Sequence, residues 1–590
     1  MVMRGSVSRR SLALRRLLAL GLVMSLPACS AVGLRPSGDA QVLSGGAMIE
    51  SSSMVGGSRA GNFLAGRFAQ DQHDLSMASG YLLLALADDP ENVELLQRAS
   101  LSLAAEGKLG PAATLSRRLL TFDGEAGIAA LLVAEQEMKN GNWTAAEAAV
   151  SGLPRRGLNS FMVPLVVAWA KVGEGKTDAA IDALAPLSQV TSFAALHDFH
   201  AALINDLADR RKAADQAYRG TMAGNGGLTL RTVEAATAFY RRIGQSEHAA
   251  ELFDAYRKEH PETASLDPGS SVTRLIDSPQ AGLAEAMFGA AGSLRQSNSP
   301  DLALIFGRMA VDLQPSFPLA QVTVADILQG LGRLPDANAI YAAINPGSPV
   351  YWSAQLRLAA NLDELNDVEG AVKTLEALSA QAPTRADALV TLGDVLRQHK
   401  RWGEAVNAYD RAFAIIGVDD RNQWMLHYSR GIALERAKQW TRAESDFLRA
   451  LELEPDQPHV LNYLGYSWIE QGVNLDQARK MIEKAVQQRP TDGYIVDSLG
   501  WVLYRAGDYR KAVTVLERAI ELHPEDATIN DHFGDALLKV GRIEEARFQW
   551  QRALSFAPEP DLKVEIERKL KATPAPPPPV LPVLKSMGAK

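Results

Sequence analysis

The sequence contains a single cysteine, Cys29, among 590 residues. One cysteine forms no internal disulfide and no metal site of several cysteines. The chain also lacks a block of basic residues, and its net charge is −8. Because contacts to phosphates need clustered lysine and arginine, we do not expect a nucleic-acid partner.

Motifs for common chemistries are missing as well. There is no Gly-Lys-Ser/Thr phosphate loop, no Gly-x-Gly-x-x-Gly fingerprint and no Gly-x-Ser-x-Gly elbow. His197 and His200 lie three residues apart, whereas a metalloprotease helix needs a glutamate and a spacing of four. We interpret both histidines as ordinary polar positions, and we predict no metal site, no cofactor and no catalytic residue.

No long hydrophobic run is present near the N-terminus, where the apolar stretch from Leu17 to Leu26 is too short to span a bilayer. Five arginines and no acidic residue accompany it in residues 1–28, a pattern typical of an export signal. The sequence from Leu26 to Cys29, Leu-Pro-Ala-Cys, resembles the lipobox of bacterial lipoproteins, whose cysteine is acylated. We therefore predict a signal peptide at 1–28 and lipid attachment at Cys29. A secretory signal with a chance cysteine is the alternative.

Two further features of this region bear on the export route and the localisation of the protein. Ser30 is compatible with sorting to the outer membrane under the enterobacterial rule for lipoproteins. Residues 8–12 loosely resemble a twin-arginine signal, but general secretion is favoured. Residues 29–58 are rich in serine, glycine and alanine and predict a flexible tether.

The rest of the chain contains a repeat in which two small residues recur, mostly at a spacing of 34 residues. The first small residue, at repeat position 8, is Gly66, Ser100, Ala134, Ala168, Ala202, Thr237, Ala291, Ala325, Ala359, Gly393, Gly431, Gly465, Gly500 or Gly534. The second, at position 20, is Ala78, Ala112, Ala146, Ala180, Ala214, Ala249, Ala303, Ala337, Ala371, Ala405, Ala443, Ala478, Ala512 or Ala546. A proline often follows at position 32, as at Pro490, Pro524 and Pro558.

This pattern resembles the tetratricopeptide-repeat superfamily over residues 59–560, most specifically from Gly393 onward. The resemblance implies an all-α solenoid of about 14 helical hairpins, each with a helix A and a helix B, wound as a right-handed superhelix. Positions 8 and 20 are expected to face each other where the two helices cross, so that only small side chains fit there. The proline ends helix B, because it cannot continue the hydrogen-bond ladder.

One break divides the array. The spacing from Thr237 to Ala291 is about 20 residues longer than one period, and the excess falls at 263–283, which is rich in proline, glycine and serine. We predict one block of repeats at 59–262, a linker or hinge at 263–283 and a second block at 284–560. A continuous superhelix with a bulging loop is equally compatible with the sequence.

After the last repeat, residues 561–590 predict a capping helix followed by a disordered tail. Residues 561–572 place Leu562, Ile566 and Leu570 at helical spacing. Prolines concentrated at 574–582 predict an extended polyproline tail. No remaining stretch is long enough for a catalytic domain, so we predict that the protein is not an enzyme.

In this superfamily helix A lines the concave wall, so the resemblance implies a partner site on that wall. Aromatic residues and arginine often anchor protein interfaces. The predicted site consists of Tyr428, Asn462, Tyr466, Tyr494, Asp497, Trp501, Tyr504, Arg505 and Asp531. Packing of some of these side chains against neighbouring repeats is equally compatible with the sequence.

The chain also looks like the long tetratricopeptide lipoproteins of the Gram-negative outer membrane. One such group holds a carboxyl-terminal-processing protease and its substrates, which are peptidoglycan hydrolases. We therefore expect a lipid-anchored scaffold or adaptor in the cell envelope that faces the periplasm and binds other proteins. An assembly factor for outer-membrane proteins, polysaccharide or pili is the alternative, and an enzyme such as a glycosyltransferase is a more remote one.

Overall fold

The structure is a computed structural model that describes residues 57–223, 229–260, 273–416 and 423–573. The signal peptide, Cys29, most of the tether and the proline-rich tail lie outside these residues. The described part of the chain contains 29 α-helices, one short 3-10 turn (Thr191–Phe193) and no strand. None of these helices is both long enough and apolar enough to cross a membrane.

The helices of the first six hairpins are α1 (Arg59–Asp71), α2 (Leu75–Asp88), α3 (Val93–Glu106), α4 (Leu109–Leu120), α5 (Gly127–Lys139), α6 (Trp143–Ser151), α7 (Asn159–Gly173), α8 (Thr177–Ser188), α9 (Ala194–Leu207), α10 (Arg211–Ala223), α11 (Leu230–Arg242) and α12 (Ser246–Glu259).

The next four hairpins consist of α13 (Pro279–Gln296), α14 (Pro300–Leu313), α15 (Pro318–Gly330), α16 (Leu334–Ala343), α17 (Tyr351–Glu364), α18 (Val368–Gln381), α19 (Asp387–Gln398) and α20 (Trp402–Ile416). The last four hairpins and the final helix are α21 (Trp424–Arg436), α22 (Trp440–Leu453), α23 (Pro458–Gln471), α24 (Leu475–Gln488), α25 (Gly493–Arg505), α26 (Tyr509–Leu522), α27 (Ala527–Lys539), α28 (Ile543–Ser555) and α29 (Pro560–Ala572).

The predicted register is confirmed in every repeat. Odd-numbered helices α1 to α27 are the A helices and carry position 8, whereas even-numbered helices α2 to α28 are the B helices and carry position 20. All 28 of these small residues are buried. The described part of the chain is therefore an all-α array of 14 helical hairpins followed by one helix, as the repeat predicts.

Close crossing of the two helices explains the small residue at position 8. A Cβ atom added to Gly534 would lie 2.6 Å from Trp550 Cδ1 and 3.1 Å from the carbonyl oxygen of Ala546. One added to Gly500 would lie 2.5 Å from Leu516 Cγ. The carbonyl contact confirms that positions 8 and 20 face each other. The side-chain contacts add that the large residue at position 24 fills the space beside position 8.

Local signals set the ends of the A helices in the best-defined repeats. Asp526 accepts hydrogen bonds from the backbone N–H groups of Thr528 and Ile529, at 2.9 and 3.0 Å, and so caps α27. Gly541 then turns the chain with a φ of 84°, which only glycine adopts without strain. Asp492 and Gly507 do the same at the two ends of α25.

The helices α13 and α14 make contacts that a simple solenoid would not provide. They pack against α3, α5, α7 and α9, which are A helices of earlier repeats. Asp312 on α14 accepts hydrogen bonds from Gln136 and Lys139 on α5, at 2.9 and 2.8 Å. Near the start of α13, Gly282 lies against the ring of Trp169, which is fully buried. The α13–α14 hairpin thus covers the A helices of the first block.

The hydrophobic core does not divide at the predicted linker. One cluster of buried apolar side chains extends from Leu82 to Leu358 and includes residues on both sides of the predicted linker, of which residues 263–272 lie outside the described part of the chain. A second cluster begins at Ala359 and a third at Leu503. In addition, residues 279–283, which the sequence assigns to the linker, form the first turn of α13. The helix begins early because Ser278 caps it by accepting a hydrogen bond from the backbone N–H of Ala281, and Pro279 occupies its first position.

Residues 561–572, for which the sequence predicts a capping helix, lie in α29. Ile566 is fully buried, and Leu562 and Leu570 pack against the third apolar cluster. Lys569 lies 2.8 Å from carboxylate oxygens of both Asp531 and Asp535 on α27. The helix therefore occupies the place that the A helix of a fifteenth repeat would take.

Candidate protein-binding surface

The helices α21, α23, α25 and α27 lie side by side and form one wall of the last four repeats, hereafter the inner wall. Consecutive members contact each other directly between α23 and α25 and between α25 and α27. The close crossing at position 8 brings each B helix against its own A helix, so the opposite face of helix A carries the exposed side chains. This wall holds all nine residues of the predicted site.

Three rings on this wall and one at the start of α26 form a continuous set, hereafter the aromatic strip, which consists of Trp501, Tyr504, His532 and Tyr509. Trp501 lies nearly parallel to Tyr504, with ring centroids 4.8 Å apart, and nearly parallel to His532 at 4.0 Å. Tyr509 meets Tyr504 edge to face at 5.5 Å. Parallel and edge-to-face packing of this kind holds rings in fixed orientations.

Charged groups surround the strip. The indole Nε1 of Trp501 donates a hydrogen bond of 2.6 Å to Glu470, and Arg505 lies 3.3 Å from the same carboxylate oxygen. Arg505 and Glu470 are both exposed. An arrangement of half-buried aromatic rings and exposed charges of both signs is typical of surfaces that anchor a protein partner.

Two acidic residues of the predicted site have a different role. Asp497 is buried and accepts a hydrogen bond of 3.0 Å from His532 Nδ1. Asp531 is also buried and pairs with Lys569 of α29. Both carboxylates are therefore used inside the array, where they join neighbouring A helices. The prediction that they contact a partner needs correction, because a buried and paired carboxylate is not available to one.

The neighbouring carboxylates also shift the pKa of His532. Burial alone would lower the pKa of this imidazole, but the nearby carboxylates of Asp497, Asp531 and Asp535 outweigh it and raise the pKa above its usual value. Burial likewise raises the pKa of the Asp531 carboxyl. His532, which stacks on Trp501 within the aromatic strip, thus binds a proton more readily than a free imidazole.

The remaining predicted site residues are spread along the wall. Tyr428 is half-buried against Tyr463 and Phe447, and burial raises its pKa to about 12. Burial also raises the pKa of Tyr466. The side-chain oxygen of Asn462 is buried without a hydrogen-bond partner in the described part of the chain.

Tyr494 does not join the aromatic strip. It is more than half exposed and stacks on His523 at 4.6 Å, near the N-terminal end of α25. The sequence did not predict this grouping, in which Trp501 and Tyr504 come together and Tyr494 lies apart. His532 and Tyr509 were missed, because neither occupies one of the repeat positions expected to face the concave side.

A second feature that the sequence does not reveal is a cavity of about 510 Å³ in the first half of the array. Phe161, Phe199 and Phe288 line it, and the buried ion pair of Arg231 and Glu285, 2.8 Å apart, lies at its edge. His200 also faces it and accepts a hydrogen bond from Trp169 Nε1 at 3.1 Å, while burial lowers the pKa of His200 to about 3. The cavity exists because α13 packs against α7 and α9, contacts that no local pattern predicts.

Comparison with known proteins agrees with this architecture. A family model described as tetratricopeptide repeat matches residues 356–417, 428–493 and 498–559. The TPR repeat-containing protein PA4667 of Pseudomonas aeruginosa is 30% identical over 189 residues, which cover 30% of this chain and 30% of that protein. The aligned segment thus spans less than a third of the relative.

Solved structures give more distant matches. A tetratricopeptide repeat protein from Parabacteroides merdae is 13% identical, with a TM-score of 0.35, and the match covers 48% of this chain and 97% of that one. The APC/C hetero-tetramer Cut9-Hcn1 is 12% identical, also with a TM-score of 0.35, and covers 88% of this chain and 97% of that chain.

Proposed function

We propose that this tetratricopeptide-repeat protein is a lipid-anchored scaffold or adaptor in the cell envelope, and that it holds partner proteins on the inner wall of its last four repeats. Repeats of this family are modules for protein interaction, and the chain devotes nearly all of its described length to them. The aromatic strip carries the proposal. It combines fixed aromatic rings with exposed charges, which are features of interface anchors.

The position of α13 and α14 supports the choice of the C-terminal wall. These two helices cover the A helices α3, α5 and α7 of the first block, so those faces are already occupied by the chain itself. Among the described residues, α21 to α27 have no such cover apart from α29 at their end. A partner that enters a concave wall therefore finds open A helices in the last four repeats.

The more specific proposal is that the partner is a carboxyl-terminal-processing protease together with peptidoglycan hydrolases that it degrades. This rests on the resemblance of the lipobox at Cys29 and of the long repeat array to outer-membrane lipoproteins with that role. Acylation at Cys29 would hold the scaffold at the membrane surface, with each buried methylene contributing about 0.8 kcal/mol.

The test is purification of the lipidated protein from membranes after mild crosslinking, with identification of co-purified proteins by mass spectrometry. A Trp501→Ala, Tyr504→Ala variant removes the strip, and a Phe548→Ala variant removes an aromatic ring that is 57% exposed on the B helix α28. We expect a periplasmic protease and cell-wall hydrolases with the wild type and with Phe548→Ala, and loss of both with the strip variant.

Other outcomes separate the alternatives. Recovery of assembly or export machinery, again lost in the strip variant, would refute the protease partner and retain the scaffold. Equal recovery of partners by the wild type and the strip variant would refute the inner wall as the binding surface. A protein that sediments with membranes equally well after Cys29→Ser would refute the lipid anchor.

A further inference from the structure

The end of α29 is held at a defined place relative to the aromatic strip. Arg547, the fifth residue of α28, donates a hydrogen bond of 2.8 Å to the carbonyl oxygen of Leu570 and another to that of Thr573. Lys569 of α29 donates hydrogen bonds to the carboxylates of Asp531 and Asp535 of α27. The last residues of α29 therefore lie at the end of the repeats where A helices finish and B helices begin.

The aromatic strip reaches the same end. Tyr504 is the penultimate residue of α25, and Tyr509 is the first residue of α26. The ammonium group of Lys539, the last residue of α27, lies 5.9 Å from the ring centroid of Tyr509. Whatever follows Thr573 thus begins at the same end of the repeats as this part of the strip.

Hydrogen-bond donors at this end of the strip are free. Within the described chain, the hydroxyl groups of Tyr504 and Tyr509 have no hydrogen-bond partner, and Lys539 is exposed. Burial raises the pKa of Tyr504 to about 12, so its hydroxyl keeps its proton at neutral pH. Tyrosine rings with free hydroxyl groups suit a segment that offers apolar rings and carbonyl oxygens but few N–H groups.

The sequence after Thr573 has that chemistry. Residues 574–590 contain six prolines, four of them consecutive at Pro576–Pro579, followed by Val580, Leu581 and a lysine at Lys585. Proline has no N–H and favours the polyproline II conformation, which offers carbonyl oxygens and apolar rings to aromatic-lined grooves. The lysine complements the exposed Glu470 beside Trp501.

The distances are compatible. In polyproline II conformation the six residues from Thr573 to Pro579 span about 19 Å. Two steps between neighbouring packed helices, from α29 past α27 to α25, amount to about 16–20 Å. The chain can therefore reach Tyr504 and Trp501 at Pro579 without any movement of α29.

We propose that residues 574–590 of the chain bind to the aromatic strip, with Pro579 and the residues after it against Tyr504 and Tyr509, and with backbone carbonyl oxygens of this segment accepting hydrogen bonds from the two tyrosine hydroxyls. The tail then covers part of the inner wall, and a partner must displace it. Its role as a competitor rests on the proposed function, whereas its binding to the strip does not. The test below contains no partner, so failure of one proposal leaves the other intact.

Binding of a fluorescein-labelled synthetic peptide of residues 573–590, measured by fluorescence anisotropy, tests this directly. The opened chain is the full-length protein with Pro576, Pro577, Pro578 and Pro579 all changed to Ser. We expect the peptide to bind the opened chain, and to bind the wild-type chain at least about tenfold more weakly, because a tethered segment competes at an effective concentration in the millimolar range.

Variants of the opened chain locate the site. Adding Tyr504→Ala and Tyr509→Ala should weaken peptide binding at least tenfold, whereas adding Phe548→Ala should leave it unchanged. If circular dichroism shows that the alanine variant is unfolded, Tyr504→Phe with Tyr509→Phe, which removes only the two hydroxyls, replaces it and should weaken binding severalfold. No binding to the opened chain, equal binding to the wild-type chain, or binding unaffected by the tyrosine substitutions would each overturn the proposal.

Discussion

At the scale of single residues, the repeat depends on the size of position 8. The glycines in the last five repeats leave room for large residues at position 24, among them Tyr409, Phe447 and Trp550. Alanine, serine and threonine serve at position 8 in most earlier repeats. The size of this residue is therefore matched to its neighbour on helix B, and it cannot be changed alone.

Gly500→Ala tests this match. The added Cβ would lie 2.5 Å from Leu516 Cγ, so either the side chain or the helix must shift. We expect the free energy of unfolding to fall by about 1–3 kcal/mol, which is the usual range for overpacking. The control is Gly403→Ala in α20, where nothing lies within 4 Å of the added atom. Urea unfolding should show it unchanged or stabilised by up to about 1 kcal/mol, and equal losses in the two variants would contradict the explanation.

His532 makes stability depend on pH. Its folded-state pKa is raised above the value of about 6.5 expected in the unfolded chain. Its contribution to stability is thus complete below about pH 6.5 and is lost as the pH rises through the folded-state pKa. His532→Phe, which keeps a ring beside Trp501 but no charge, should lower stability most at pH 6 and progressively less toward pH 9. Urea unfolding across this range measures the difference, and a difference that is constant or grows with pH would refute the role.

At the scale of elements, the notable helix pair is α13 and α14. Each ordinary hairpin contacts its neighbours, but this pair also reaches α3, α5, α7 and α9. Glu135 on α5 is buried beside Asp312 of α14, and burial raises its pKa well above the usual value. Burial away from water favours the neutral, protonated form of this carboxyl group over the charged form. This is consistent with a contact between α5 and α14 that excludes water.

Gly282→Ala should loosen this contact. Its Cβ atom would lie 2.2 Å from the ring of the fully buried Trp169, so either this ring or α13 must shift. We expect faster hydrogen exchange in α3, α5 and α7 and a loss of about 1–3 kcal/mol in stability. Gly289→Ala lies in the same helix, where nothing is within 4 Å, and should change neither quantity. Unaltered exchange in Gly282→Ala would show that α13 does not brace these helices.

At the scale of the whole molecule, the described chain contains two kinds of packing. The first eight repeats and the start of the ninth share one apolar cluster, from Leu82 to Leu358, that includes contacts between distant repeats. From Ala359 onward, the clusters involve mainly neighbouring repeats. Arrays with only neighbour contacts open from their ends, whereas long-range contacts couple repeats together.

Native-state hydrogen exchange should show this difference. We expect amide protons in the buried helices between α3 and α15 to share one opening free energy. Those of α19 to α27 should instead form a gradient that falls toward the C-terminal end. A gradient of the same kind throughout both halves would contradict the coupling that α13 and α14 are expected to provide.

The sequence predicted the helices well because the repeat is a local signal. A small residue at position 8 and an alanine at position 20 recur within each hairpin, and they locate helices A and B even where prolines are absent. The docking of α13 could not be predicted, since Asp312 meets Lys139 from 173 residues away and neither lies in a motif. For the same reason the burial of Asp497 and Asp531 against His532 and Lys569 could not be predicted, although all nine predicted residues lie on A helices of the last four repeats.

The proposal that partners bind the inner wall is tested most directly by photo-crosslinking in cells. A photoreactive phenylalanine derivative is introduced at Arg505, beside the aromatic strip, or at Phe548 on helix B of the last repeat. The inner-wall position should give crosslinks to other proteins that disappear when Trp501 and Tyr504 are changed to Ala, and the Phe548 position should give few. Crosslinks to partners from Phe548 alone, or from Arg505 with no dependence on Trp501 and Tyr504, would contradict the inner wall as the binding surface.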